Sequence, residues 1–109
     1  MKHLFISLLL VFTIVLSSCT QGPYAVKYTA SGNSGTLYVT YIDENGITEN
    51  YTGPSPWHYS FTTRYGASLK VSANCDVTGT TEVHIFINGV DKVSDTETGF
   101  NATASTKAE

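Results

Sequence analysis

The chain has little cysteine, little positive charge and no helical periodicity. Each of these features excludes a kind of structure or binding partner. Only two cysteines are present, Cys19 and Cys75, so modification of either one excludes an internal disulfide. Six Lys and Arg stand against nine Asp and Glu, for a formal net charge of −3. The basic residues form no patch, which argues against nucleic-acid binding and against electrostatic attachment to anionic lipid. Past Cys19, no stretch has a helical period and no repeat is long enough for a solenoid or propeller.

A short apolar segment opens the chain. It starts with Lys2, runs over residues 4–16 and ends in the small residues Ser17 and Ser18, directly before Cys19. A positive start, a brief apolar core and small residues before a processing point are typical of a secretory signal. The segment is shorter than the ~20 apolar residues of a membrane span. With a cysteine at the processing point, it resembles a bacterial lipoprotein signal.

The lipoprotein resemblance implies cleavage before Cys19, a lipid thioether on its sulfur and acylation of its new amino group. It divides off a signal peptide (1–18) and a lipidated N-terminus with a short tether (19–23). The strand pattern described below predicts a β-sandwich domain (24–105) and a frayed tail (106–109). The expected location is the bacterial cell envelope, lipid-anchored through Cys19, because two or more acyl chains hold a protein stably. Thr20 provides no acidic retention signal, which favours the outer membrane in a two-membrane cell. A plain signal peptide and an uncleaved anchor are the alternatives.

The rest of the chain alternates apolar with polar residues in short runs, separated by Gly, Asn, Asp and Pro. Such runs predict β-strands. Asp43 and Gly46 bound one predicted turn, and Asn88-Gly89 predicts a type I′ hairpin, in which both residues need positive φ. The final run predicts an edge strand. Strands are predicted over residues 24–30, 36–42, 47–52, 57–63, 69–75, 81–87, 90–95 and 100–105.

This spacing of strands and turns predicts an all-β fold, a small antiparallel β-sandwich of immunoglobulin-like type with about seven strands. A small closed barrel is the alternative. Trp57, Tyr59 and Phe61 share one face of their strand, and we expect that face at the centre of the core. Cys75 continues the alternation of its strand, so it is expected to point inward as a buried, inert thiol.

Several further features recur in a definite order over residues 26–105: Val26-Lys27-Tyr28-Thr29, Ser31-Gly32, Val39-Thr40-Tyr41, Asp43, Gly46, Pro56-Trp57, Phe61, Leu69, Ser72-Ala73, residues 83–87, Asn88-Gly89, Ser94, Thr98-Gly99 and Asn101-Ala102. This order resembles the extracytoplasmic domain of the mycobacterial membrane protein small (MmpS) family. The resemblance implies a sandwich and a role as accessory partner of a large envelope exporter. It departs from the family at the N-terminus, where family members carry a transmembrane helix, and at residues 102–109, which lack their cysteines.

No catalytic or metal site is predicted from the sequence, and no cofactor is expected. His58 and His84 each lie on the strand face opposite the expected core, without a nearby cluster of acids or cysteines. Asp43, Glu44 and Asn45 lack the alternating ligands and closing Glu of a calcium loop. Three apolar residues lie on the strand faces opposite the main apolar set, where a second layer or a covered sheet edge would account for them. The alternative is a candidate interaction surface, because exposed apolar patches mark binding sites. These residues are Tyr38, Ile42 and Phe86.

Three function classes remain open on these grounds. The favoured one is a non-enzymatic envelope lipoprotein acting as an accessory or interaction domain, with an envelope transporter as the expected partner. The alternative is a ligand-binding module for a lipid or glycan. An enzyme comes third, because no nucleophile, acid–base pair or phosphate loop assembles from the sequence.

Overall fold

A computed structural model describes residues 23–75 and 78–109. The predicted signal peptide (1–18), Cys19 and most of the predicted tether lie outside the described residues. Within them there is no helix with the length and apolar character needed to cross a bilayer. The described chain consists of eight strands: β1 (Tyr24–Gly32), β2 (Leu37–Ile42), β3 (Thr48–Gly53), β4 (Trp57–Thr63), β5 (Ser68–Asn74), β6 (Thr80–Ile87), β7 (Val90–Thr98) and β8 (Ala102–Lys107).

The strands form two four-stranded antiparallel sheets packed face to face, which confirms the predicted sandwich and not the barrel. Sheet A has the strand order β4-β1-β6-β7, and sheet B has the order β3-β2-β5-β8. There are eight strands where about seven were expected. The order differs from the ABED and CFG sheets of immunoglobulin domains, so the likeness to them lies in size and two-layer architecture.

Both ends of the sandwich can be assigned from the strand directions. The N-terminal end holds Tyr24, the turns at 43–47, 64–67 and 88–89, and the C-terminus, whereas the opposite end holds the turns at 33–36, 54–56 and 99–101. The predicted Asn88-Gly89 hairpin is confirmed, with φ of 51° at Asn88 and 82° at Gly89. These angles are those that a type I′ turn requires.

The core lies where β1 and β6 of sheet A face β2 and β5 of sheet B. Its inward side chains alternate along each strand with outward polar ones, as a half-buried strand requires. The largest of them, Tyr28, is 0% exposed. The other large core side chains that are fully buried are Val26, Leu37, Val39, Leu69, Val71, Val83 and Ile85.

The expectation that Trp57, Tyr59 and Phe61 form the centre of the core is wrong. Their face does point inward, but β4 is an edge strand and all three side chains are only half-buried. The Cα atoms of β4 also stay more than 8 Å from those of β2 and β3, whereas β5 and β6 approach within that distance. The sandwich is therefore wedge-shaped, with aromatic rings filling its wide side and alanines such as Ala102 and Ala104 its narrow side.

The expected fraying of residues 106–109 is also wrong. Strand β8 continues to Lys107, and Thr106 pairs with Leu69. Ala108 is 0% exposed, donates its N–H to the Ala67 carbonyl and accepts from the Gly66 N–H. The tail is held because it closes the N-terminal end of the sandwich against the β4–β5 turn, a contact that strand periodicity does not reveal.

Candidate functional site

The residues proposed as an interaction surface do not form one surface. Tyr38 lies on the outer face of β2 in sheet B and is 53% exposed, and Ile42 is half-buried at the end of the same strand. Phe86 lies on the outer face of β6 in sheet A. Because the outer faces of the two sheets point in opposite directions, Phe86 belongs to a different surface from Tyr38 and Ile42.

Phe86 lines a shallow groove of about 880 Å³ on sheet A. The groove crosses from Gly89 and Phe86, over β1 at Ala25 and Lys27, to Ser60 and Thr62 on β4 and reaches Glu44. All of these residues lie in the half of the sandwich nearer its N-terminal end. We refer to this feature as the Phe86 groove.

A histidine held by two carboxylates adjoins the groove. The ring of His84 stacks on that of Phe86, with centroids 5.8 Å apart and planes 28° apart. Nε2 of His84 lies 2.7 Å from Oε1 of Glu82, and Nδ1 lies 2.8 Å from Oδ2 of Asp91. Protonated imidazole donates from both nitrogens, so this arrangement favours the cation.

The pKa values of this cluster move in the directions that its hydrogen bonds require. The hydrogen bond to Glu82, followed by the bond and charge of Asp91, raises the pKa of His84 above its usual 6.5 against the opposing effect of burial. The bond from His84 in turn lowers the pKa of Glu82. The result is a hydrogen-bonded cluster of one histidine and two carboxylates at the margin of the Phe86 groove.

Sequence reasoning placed His84 correctly on the outer face but missed its two partners. The signal was present in the Asn88-Gly89 hairpin, whose two-residue loop sets Phe86 opposite Asp91. Asp91 is then a diagonal neighbour of His84, within reach of a long side chain. Glu82 lies two residues before His84 on the same face of β6.

The two histidines lie on one face but two strands apart. Thr29 of β1 is the cross-strand neighbour of His58 on one side and of His84 on the other. Adjacent strands are ~4.8 Å apart, so the two histidine Cα atoms are separated by roughly 10 Å. Across residues 23–75 and 78–109, no group of three or more His, Cys, Asp and Glu side chains is placed to hold a metal ion.

The wide side of the sandwich carries a row of half-buried aromatic rings. Trp57 packs against Tyr41 with centroids 4.9 Å apart and against Tyr51 at 5.8 Å. The Tyr59 hydroxyl donates to the Glu44 carboxylate, 2.6 Å from Oε1, and this bond raises the pKa of Tyr59 to about 12. Contacts between aromatic rings and the charge-assisted hydrogen bond from Tyr59 to Glu44 thus connect β4 to sheet B.

Cys75 packs against the core as predicted, although it is only partly buried. It follows β5 and lies in a niche bounded by two glycines. A Cβ on Gly79 would lie 2.6 Å from its Sγ, and one on Gly32 would lie 2.8 Å from its Cβ. The Thr81 hydroxyl donates to Sγ over 3.2 Å. The thiol is thus part of the packing at the opposite end of the sandwich from the Phe86 groove.

Fold and surface together define a two-layer antiparallel β-sandwich with an apolar groove and an aromatic edge. Compared with protein-family models and with curated proteins, the chain matches neither a family model nor a curated sequence. The resemblance to the MmpS family and the lipoprotein signal both remain predictions.

Proposed function

We propose that this protein is a non-enzymatic lipoprotein of the bacterial envelope, anchored through Cys19, whose sandwich serves as an accessory or interaction domain for an envelope membrane protein. The observation that carries the proposal is the position of the Phe86 groove. It lies toward the end of the sandwich where β1 begins, at Tyr24. In the sequence, four residues separate Tyr24 from Cys19.

The short tether sets the orientation of the domain under this proposal. The five backbone steps from Cys19 to Tyr24 span at most ~18 Å when fully extended. A lipid on Cys19 would therefore keep the N-terminal end of the sandwich, and with it the Phe86 groove, close to the bilayer surface. The opposite end, with Phe100, would face away from the membrane. A groove so placed is within reach of the extramembrane part of a membrane protein.

The lining of the groove is consistent with a protein partner. Phe86 and Ala25 contribute apolar surface, while Lys27 and Glu44 contribute one charge of each sign. Mixed charge around an apolar centre is the arrangement of a protein interface, whose core is apolar and whose rim is polar. The MmpS resemblance supports a transporter as that partner, and the missing acidic residue after Cys19 supports the outer membrane in a two-membrane cell.

A lipid-binding module is the second candidate, and the size of the groove favours it. A volume of about 880 Å³ lies within the ~300–1,000 Å³ of small-molecule sites. The apolar lining fits an acyl chain better than a glycan, which needs several polar partners. Under this reading the groove would hold part of a lipid taken from the adjacent bilayer.

Photocrosslinking in native envelopes tests the proposal. A benzophenone-bearing phenylalanine analogue replaces Phe86 in the full-length chain, and the matched control replaces Phe100, which is 75% exposed at the opposite end. We expect the Phe86 position to capture an integral membrane protein and the Phe100 position to capture much less. A small lipid adduct at Phe86 would support the second candidate.

The same experiment can reject both candidates. Equal capture at Phe86 and Phe100, or capture at Phe100 alone, would mean that the groove is not the contact surface. A soluble protein as the main adduct at Phe86 would contradict an accessory role at the membrane.

A further inference from the structure

The outer edge of β4 differs from the other sheet edges in carrying no formal charge of its own. The strand reads Trp-His-Tyr-Ser-Phe-Thr-Thr, without Lys, Arg, Asp or Glu. By contrast, β3 carries Glu49, β8 carries Lys107, and β7 carries several charges and pairs through a register irregularity at Ile85/Phe86. Charges and bulges are the usual protection of an edge against pairing with another strand. The β4 edge has neither.

The hydrogen bonds of β1 reveal which residues of β4 present their backbone to this edge. Ala25 donates its N–H to the Asn88 side chain and accepts from the Asn88 N–H, so odd-numbered residues of β1 direct their polar groups toward β6. Even-numbered residues of β1 therefore bond to β4, and their partners there are Trp57, Tyr59 and Phe61. The residues between those partners, His58, Ser60 and Thr62, direct their N–H and C=O groups outward.

These three residues match themselves in one antiparallel register. With Ser60 opposite Ser60 of a second copy, His58 pairs with Thr62, and every outward N–H and C=O of the three residues has a partner. A shift of the register by two residues in one direction brings Pro56, which has no N–H to donate, into the ladder. A shift by two residues in the other direction brings in Arg64, which is charged. The neutral strand also places no like charges opposite each other.

The inward side of the same register joins aromatic rings. It places Tyr59 opposite Phe61 of the second copy, and both rings are half-buried in the single chain. Aromatic pairs directly across two strands stabilise a sheet. Glu44, the carboxylate beside this edge, is already bonded by the Tyr59 hydroxyl on the inner side.

We propose that the β4 edge is a homodimer interface, in which two copies pair their β4 strands antiparallel about a two-fold axis at Ser60. Sheet A then continues across the interface as one eight-stranded sheet, and the contact is isologous, as a two-fold axis requires. This inference does not depend on the lipid anchor or on the partner of the Phe86 groove.

Disulfide trapping tests the register directly. Residues of a hydrogen-bonded antiparallel pair have Cα atoms ~5.5 Å apart, within the ~4.4–6.8 Å that a disulfide spans. Full-length Ser60→Cys, oxidised in intact cells, should therefore form a covalent dimer in high yield. The matched control is Ser94→Cys, an exposed outer-face serine on β7 at the far edge of the same sheet. Equal yields from the two variants would overturn the proposal.

Charge swapping tests the interface without a covalent bond. Ser60→Lys places two ammonium groups against each other at the axis and should convert the detergent-solubilised full-length dimer to monomer, measured by light scattering. Mixing Ser60→Lys with Ser60→Glu should restore a dimer, whereas Ser94→Lys should leave the dimer unchanged. A wild-type chain that is monomeric, or a Ser60→Lys variant that remains dimeric, would show that β4 is not the interface.

Discussion

The hydroxyl of Tyr28, on sheet A, accepts a hydrogen bond from the backbone N–H of Lys70, on sheet B, over 3.3 Å. The same hydroxyl donates to the Ile42 carbonyl over 2.7 Å. Strands β2 and β5 pair from Tyr38↔Asn74 to Tyr41↔Val71, so Ile42 and Lys70 would form the next pair. The Tyr28 hydroxyl thus lies where the pairing of β2 with β5 ends. It bonds to the Ile42 carbonyl and the Lys70 N–H, the two backbone groups that would otherwise continue this pairing.

Tyr28→Phe should destabilise the fold by about 1–3 kcal/mol, the cost of leaving buried backbone groups unsatisfied. Tyr38→Phe is the matched control, because the Tyr38 side chain is on the exposed face of β2; we expect a change within about 0.5 kcal/mol. Urea unfolding of the full chain measures both. Similar effects of the two substitutions would mean that the Tyr28 hydroxyl contributes no specific bond.

Stability at alkaline pH should reveal the burial of the Tyr28 hydroxyl. Desolvation is the main cause that raises the pKa of Tyr28 to about 12. The hydrogen bond to Glu44 is the main cause that raises the pKa of Tyr59 to about 12. Because the folded pKa of Tyr28 is raised, its contribution to stability is complete below pH ~10 and is lost as the pH rises toward 12. Tyr28→Phe should remove part of this alkaline loss of stability, as followed by melting temperature between pH 9 and 12.

The His84 cluster predicts a second pH dependence, at lower pH. The pKa of His84 is raised in the fold, so its stabilising contribution is complete below pH ~6.5 and is lost as the pH rises through the folded pKa. The pKa of Glu82 is lowered, so its contribution is lost again as the pH falls through that lower value. His84→Gln should reduce stability between these limits by no more than about 1 kcal/mol, as expected for a partly exposed ion pair.

His58→Gln provides the control for the His84 measurement, because His58 is exposed on the same outer face. Thermal melts from pH 4.5 to pH 8.5 should show a pH-dependent difference from wild type for His84→Gln alone. If both variants follow the wild-type curve, the two carboxylates do not hold a charged imidazole in solution.

Gly79→Ala should disturb the niche of Cys75. Its new Cβ would lie 2.6 Å from Cys75 Sγ and 2.9 Å from the Cβ of Ser34, distances that force a displacement. We expect a loss of about 1–3 kcal/mol, as for other overpacked sites. Cys75→Ala in the same chain removes the sulfur and should recover part of the loss in a double-mutant cycle. If the effects of Gly79→Ala and Cys75→Ala on stability are additive, the contact with Cys75 is not the source of the strain.

Cys19→Ala tests the anchor on which the proposed function depends. The domain offers no basic patch, so its membrane attachment would rest on the lipid at this residue. The variant should be released from membranes or remain unprocessed, as followed by fractionation and intact mass. A correctly cleaved Cys19→Ala protein that stays fully in the membrane fraction would refute the lipoprotein proposal. The homodimer proposal would be unaffected by that result.

The strands and turns were predictable because their signals are local. Alternation of apolar and polar residues follows from the two-residue period of a strand, and each predicted strand occurs within a few residues of its expected bounds. The Asn88-Gly89 turn was equally readable, since positive φ at both positions is a property of the two residues and their neighbours. Even the pairing of β3 with β2 followed from the turn at Asp43, whose side chain accepts from the Asn45 and Ile47 N–H groups.

The sequence by itself determined an all-β chain of alternating strands with inward Val, Leu and Tyr side chains. Only the tertiary structure decided which strands became edges. Because β4 is an edge strand, Trp57 lies on the wide side of the wedge and not at the expected centre of the core. Because β6 and β2 belong to different sheets, Phe86 and Tyr38 lie on different surfaces. The tertiary structure also placed the Tyr28 hydroxyl where the pairing of β2 with β5 ends. The physical reason is that sheet order depends on contacts between residues far apart in sequence, and strand periodicity carries no information about which strands will be neighbours.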